Sequence, residues 1–213
     1  MLRYVYGHDL HTHSDLAHSM FLDRADQFKT RLGWDVQVDA NGEERDQYDE
    51  LDPLYMIWEM PDGSHGGSMR FLPTTGRVMV NEIFLDLCGG VPICSPLIWE
   101  CTRFCLSRKA HGRIAAGLML GSLEIMRNFD VPHYTGVFYR HTARAFRNLG
   151  FAPEITGTQG EGRNPICMGF WEYAEETYHS VSRKAGIPPE LSQLWFDRSF
   201  GGAGASGPVA LSA

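Results

Sequence analysis

Little in this chain marks it for export, for a membrane or for a nucleic acid. The N-terminal run Met1-Leu-Arg-Tyr-Val-Tyr-Gly-His8 holds no continuous apolar stretch. The longest apolar run, Ile114 to Leu120, is broken by Gly117 and falls well short of the ~20 residues a membrane helix needs. Neither a signal peptide nor a span is expected, and the expected compartment is the cytoplasm. Excess positive charge is also missing: the net charge is -7, whereas nucleic-acid phosphates are bound by clustered cations. The five cysteines (88, 94, 101, 105 and 167) are odd in number and contain no CxxC, so reduced thiols filling core space are expected rather than disulfides or a zinc knuckle. No internal repeat is visible. With 213 residues and 43% apolar content, one domain over residues 1–199 is expected, followed by a Gly/Ala-rich tail over 200–213 that cannot bury enough surface to order itself.

The stretch that organises the rest is Pro96-Leu-Ile-Trp-Glu-Cys-Thr-Arg-Phe-Cys-Leu106, an apolar and aromatic strand carrying two opposite charges. Charges taken out of water are costly unless paired, so Glu100 and Arg103 must face partners, a ligand or solvent. Strict alternation puts them on opposite faces. If both serve one pocket, the strand must bulge near Cys101 and Thr102, with Arg103 in reach of a carboxylate and Glu100 facing the same cleft.

Around it the pattern is mixed. Leu2 to Tyr6, Leu54 to Met60, Ser68 to Leu72, His133 to Tyr139 and Ile166 to Trp171 read as strands. Leu16, Met20, Phe21, Phe28 and Leu32 recur near helical period, giving a helix from about Asp15 to Leu32 with Gly33 as its stop. Arg24 and Phe28 then share a face, and Trp34 follows directly. Further helices are expected from Arg108 to about Phe129, Thr142 to Leu149, Glu172 to Ala185 and Pro189 to Phe196. Cations at the first turns of the Arg108 helix oppose the helix dipole, which suits an anion supplied from outside. Strands gathered early, then alternating with helices, indicate an α/β (α+β) fold with helices on the faces of a mixed sheet. His11-Thr-His13 also resembles the opening motif of PHP-type metal phosphoesterases, but the remaining histidines stand singly with no second HxH.

The spaced set Arg24, Phe28, Trp34, Asp46, Asp49, Arg70, Phe84, Glu100 and Arg103 resembles the signature of the acyl-homoserine lactone synthases, the autoinducer synthases of quorum sensing. Arg45-Asp-Gln-Tyr-Asp49 and Trp99-Glu-Cys-Thr-Arg-Phe104 carry most of its specificity. The likeness covers roughly Arg3 to Trp171. Thr142-Ala-Arg-Ala-Phe-Arg-Asn-Leu-Gly-Phe151 is similar to the helix-plus-Gly-Phe segment of GCN5-type N-acetyltransferases, whose fold those synthases share. An ordinary acetyltransferase is the weaker reading, because Lys109-Ala-His-Gly112 is a degenerate pyrophosphate loop and Phe146 stands where many place a tyrosine acid.

The resemblance implies S-adenosylmethionine as a substrate, no cofactor and no metal, and an acyl thioester on acyl carrier protein or coenzyme A. It implies Glu100 as base with Arg103 beside it, and Arg24, Phe28 and Trp34 as a lid. Asp46, Asp49, Arg70 and Arg103 would form a charge network, with Phe84 a wall near the acyl branch. Arg108, Lys109, Arg113, Arg144 and Arg147 would form a landing face for the donor, or else a solvated surface. Two other functions stay open: a metal phosphoesterase using His11 and His13, and a non-catalytic S-adenosylmethionine sensor.

Overall fold

A computed structural model describes residues 1–162 and 164–201. Most of the tail lies outside the described residues. Among the described residues seven strands form one sheet: β1 (Leu2–Tyr6), β2 (Leu54–Glu59), β3 (His65–Pro73), β4 (Ile98–Leu106), β5 (His133–Tyr139), β6 (Glu154–Gln159) and β7 (Ile166–Glu172). Their order is β1-β2-β3-β4-β5-β7-β6, and every neighbouring pair is antiparallel except β4 with β5. The helices are α1 (Ser14–Ala25), α2 (Met79–Glu82), α3 (Gly112–Asn128), α4 (Ala143–Leu149), α5 (Glu175–Ala185) and α6 (Pro189–Phe200). No described helix is long and apolar enough to cross a membrane.

Alternation in the strands sends side chains to two different cores. Leu54, Met56, Met69 and Phe71 join Ile114, Leu118, Leu123, Tyr178 and Phe196 on the face covered by α3, α5 and α6. Tyr55 and Ile57 face the other way, against Leu16, Met20 and Phe21 of α1. Leu72 lies on that second face too, in a cluster with Tyr48, Val78, Val80 and Leu87.

The structure departs from the sequence reading at several points. The expected Asp15–Leu32 helix is α only as far as Ala25. Residues Asp26–Arg31 widen into a π-helical turn, in which the Leu32 amide donates to the Gln27 carbonyl, five residues back, at 3.0 Å. Gly33 then takes φ 67°, the left-handed stop that its position suggested. The helix expected from Arg108 begins only at Gly112, so Arg108 and Lys109 lie in the preceding turn. Strand β6 has no counterpart in the sequence reading. Phe200 is the last residue of α6, and its ring packs against Tyr4 and Tyr6 rather than opening a loose tail.

Two irregularities in the centre of the sheet create a site. Parallel pairing of β4 with β5 covers only Ile98 to Glu100 against His133 to Thr135, after which the strands separate. In the same place β4 bulges: Ser68 pairs with Cys105 and Arg70 with Thr102, so two residues, Arg103 and Phe104, oppose Met69 alone. Arg103 adopts φ 54°, which a non-glycine residue holds only under the pressure of its surroundings.

Candidate active site

The bulge settles the question of faces, at Arg103 and Phe104 rather than near Cys101 and Thr102, where the sequence reading places it. Thr102 and Arg103 become consecutive residues on the same face, the one that also carries Arg70 and Glu100. There three guanidinium groups meet three carboxylates. Arg24 donates through Nε to Glu44 at 2.6 Å and through both terminal nitrogens to Asp49 at 2.9 and 2.8 Å. Arg70 binds Asp46 at 2.5 and 3.0 Å, Asp49 at 2.8 Å and the Thr102 hydroxyl at 3.1 Å. Arg103 reaches Glu44 at 2.9 Å and Asp46 at 2.7 Å, both through Nη2. Tyr55 donates its hydroxyl to Asp49 at 2.6 Å.

The charges cancel, which is what lets the cluster be buried. Arg24, Arg70 and Glu44 are at most 1% exposed. Burial works to lower the Arg24 guanidinium, but Asp49 and Glu44 hold it above its ordinary value. Burial likewise pushes the Asp49 carboxyl up, and Arg24 and Arg70 overcome it, leaving Asp49 well below the usual carboxylate range. The network joins α1, the loop before β2, β3 and β4, so the sheet and its covering helix are held in one register.

Next to the network, in the gap between β4 and β5, lies a cavity of about 340 Å3. Its lining is mainly apolar: Met69, Met119, Phe146, Phe151 and Trp171 in one part, Phe28, Leu32, Trp34 and Tyr139 in another. Phe28 and Trp34 stack at 5.0 Å with planes 10° apart, and Trp34 meets Tyr139 edge-on at 5.8 Å. The Arg103 guanidinium lies 5.2 Å from the centre of the Phe28 ring. Of the network's cations only Arg103 lines the cavity, and its Nε is buried with no hydrogen-bond partner among the described residues. The same holds for the Trp34 Nε1. Buried polar groups left unpaired are uncommon, and of the four among the described residues these two belong to cavity-lining side chains, the others being the Tyr4 and Ser192 hydroxyls.

Several sequence-derived assignments change. Glu100 does not face the cavity. It is fully buried, and its two oxygens accept from the backbone amides of Met79 at 3.0 Å and Val80 at 2.6 Å, at the start of α2. Burial raises its carboxyl above the ordinary value, opposed by those two amides and by Arg70. Phe84 is not a cavity wall either, and packs into the cluster of Val78, Val80 and Leu87. Arg24, Asp46, Asp49 and Arg70 stand behind Arg103 rather than in the lining. Of the basic residues, Arg108 answers to Asp26 within the chain, at 2.9 and 2.7 Å, not to an outside anion. Lys109, Arg113, Arg144 and Arg147 are exposed, and α4, which bears the last two, lines the cavity with Ala145 and Phe146. His11 donates from Nδ1 to the His8 carbonyl of its own turn at 2.8 Å, and no group of three or more metal-ligating side chains occurs among the described residues. The metal phosphoesterase reading therefore has no site among the described residues.

Glu44 and Gln27 escaped the sequence reading. Glu44 sits beside Glu43 and Arg45 in what reads as a solvated acidic loop, and nothing local signals that it bridges Arg24 and Arg103.

The chain has clear relatives among known proteins. Residues 7–138 match the family model described as autoinducer synthase. An acyl-homoserine-lactone synthase of Rhizobium etli is 33% identical over 188 residues, 85% of this chain and 88% of that protein. Among solved structures, a CoA-dependent acyl-homoserine lactone synthase, BjaI, with SAM and isopentyl-CoA superposes with a TM-score of 0.79 at 22% identity, covering 88% of this chain and 90% of that one. The fold extends more distantly to a putative N-acetyltransferase from Lactobacillus plantarum, with a TM-score of 0.53 at 14% identity over 81% of this chain and 99% of that one. The family model, which covers more than half of the chain, and the Rhizobium etli relative show that the chain belongs to the autoinducer synthase family, the acyl-homoserine-lactone synthases.

Proposed function

We propose that the cavity between β4 and β5 is where an acyl thioester and S-adenosylmethionine react to give an N-acyl-homoserine lactone, a quorum-sensing signal. The amine of the methionyl group attacks the thioester carbonyl, and the free thiol leaves. The methionyl carboxylate then displaces at the carbon next to the sulfonium, closing the lactone and releasing methylthioadenosine. The sulfonium is already a good leaving group, so the second step mainly needs the carboxylate held in line.

The observation that carries this reading is Arg103. It is the network cation on the cavity wall, and it keeps a buried Nε donor unused while Nη2 is bound to Glu44 and Asp46. A fixed cation with an unpaired donor suits the methionyl carboxylate. Phe28 and Trp34 beside it offer aromatic faces to the adenine or the sulfonium. The apolar part around Met119, Phe146 and Trp171 suits the acyl chain. Arg24, Asp46, Asp49 and Arg70 act by holding Arg103 in place.

An α-amine titrates near pH 8, so about a tenth is neutral at pH 7 and a base has little to overcome. Glu100 lies behind the Met79 amide rather than in the cavity, so as base it would act through a water or a shift of α2. Lys109, Arg113, Arg144 and Arg147 would receive acyl carrier protein or the phosphates of coenzyme A. Both substrates are made in the cytoplasm, where the enzyme is proposed to work.

The purified protein, given S-adenosylmethionine and acyl thioesters without added metal, is expected to release thiol and methylthioadenosine in equal amounts. Mass spectrometry of the extracted lactone identifies the acyl chain. Binding of S-adenosylmethionine with no methylthioadenosine formed would show a sensor instead.

A further inference from the structure

The separation of β5 from β4 leaves a backbone edge that needs partners, and the bulge decides which residues present it. Before the bulge, Ile98 turns its backbone toward β3, as its carbonyl accepts from the Thr74 amide at 3.1 Å. After it, the Ser107 amide donates to Gly66 at 3.1 Å, so Phe104 and Leu106 turn theirs toward the side that β5 has left. Those groups are satisfied, but not by a strand. The Gln27 side chain donates through Nε2 to the Phe104 carbonyl at 2.7 Å and accepts at Oε1 from the Leu106 amide at 2.9 Å. Arg31, one turn on, donates to the Leu106 carbonyl at 2.7 Å and to the Gln27 Oε1 at 3.0 Å. One primary amide thus does the work of a peptide group in the missing neighbour strand, with its donor and acceptor both engaged.

We propose that Gln27 is a positioning residue for lactone synthesis. It clamps the bulged segment from the side opposite β3, fixing the φ of Arg103 and with it the aim of Arg103 into the cavity. It also fastens the π-helical turn to β4, which sets Phe28, the next residue, against Arg103. Without this clamp the segment 103–106 keeps on that edge only the Arg31 bond to the Leu106 carbonyl, and the bulge is freer to slip back toward regular pairing, which would carry Arg103 to the other face. The inference rests on the proposed role of Arg103, but the contact itself can be read separately.

The test uses Gln27→Met, which keeps the shape and removes both hydrogen bonds, and Gln27→Glu, which keeps an acceptor for Leu106 and loses the donor to Phe104. Amide exchange of Leu106 is expected to accelerate at least tenfold in Gln27→Met and less in Gln27→Glu. Lactone formation is expected to fall about tenfold or more in Gln27→Met, with the thermal midpoint little changed and partial recovery in Gln27→Glu. Unchanged exchange at Leu106 would show that the clamp is not made. Faster exchange with turnover within about twofold of the parent would show that it does not position Arg103. A parent protein that makes no lactone would defeat the functional reading alone and leave the exchange result standing. If Gln27→Met does not fold, the same two measurements on Gln27→Glu decide the matter.

Discussion

Glu44 and Arg103 stand 59 positions apart in the chain and meet at 2.9 Å in the interior, where the Glu44 carboxylate also takes the Nε of Arg24. The pair joins the loop before β2 to the bulge of β4. Removing the carboxylate would leave two buried guanidinium groups short of one counter-charge. Glu44→Ala is therefore expected to lower stability by ~3–5 kcal/mol, measured by urea unfolding. Glu44→Gln keeps an oxygen for one of the two arginines and should lose less. A loss under 1 kcal/mol in Glu44→Ala would mean that Asp46 and Asp49 suffice.

The network also sets how the fold responds to acid. Asp49 is held well below the usual carboxylate range by Arg24 and Arg70, against the upward push of burial. In the unfolded chain it should titrate near 3.9. Its folded pKa is the lower one, so it contributes stability that is present above about pH 4 and is lost as pH falls through the folded value. Asp49→Asn should be less stable than the parent at pH 7, and the two urea midpoints should converge as the pH drops below about 4. Parallel curves down to pH 2 would remove Asp49 from the acid response.

Gly136 sits where β5 leaves β4, and a Cβ there would lie 2.7 Å from the Cys101 carbonyl oxygen. The obstacle is backbone, which cannot rotate away. Gly136→Ala is expected to push the strands apart, cost ~1–3 kcal/mol in stability and reduce turnover, since the same glycine lines the cavity. A crystal structure of the variant with unmoved strands and a full-rate enzyme would contradict this.

Six of the seven strands and the Gly33 stop could be read from the chain because each rests on local pattern, as could the need for a bulge between Glu100 and Arg103 if both were to share a face. The bulge could be inferred but not placed, since its position is set by where β3 pairs, with Arg70 held by Thr102 and Ser68 by Cys105. Strand β6 gave no signal because Glu154 to Gln159 is largely exposed and needs no apolar alternation. Glu44 and Gln27 were illegible for a related reason. Their partners lie 59 and 77 positions away, and a lone Glu or Gln looks the same whether it meets water or a buried strand edge. Family likeness assigns Phe84 to the acyl pocket, whereas the fold sends it to the cluster around Val80.

Glu100 offers the sharpest test of mechanism, because its position argues both ways. Its carboxylate is removed from the cavity by the Met79 and Val80 amides, yet burial raises its pKa, the direction expected of a base working nearer neutrality. A raised folded pKa means that Glu100 contributes stability below its unfolded value near 4.3 and loses it as pH rises through the folded one, opposite to Asp49. Glu100→Gln keeps the shape but turns an NH2 group toward a backbone amide that needs an acceptor. The variant is expected to lose ~1–3 kcal/mol of stability for that reason alone. If Glu100 is the base, acyl transfer should fall about 10²- to 10⁴-fold while S-adenosylmethionine affinity, measured by calorimetry, stays close to the parent value. If it only anchors α2, affinity and turnover should fall together as Met79 shifts in the cavity wall. Raising the pH separates the two further: a lost base is bypassed as the substrate amine deprotonates above about pH 8, so the Glu100→Gln defect should shrink there, whereas a displaced wall stays displaced.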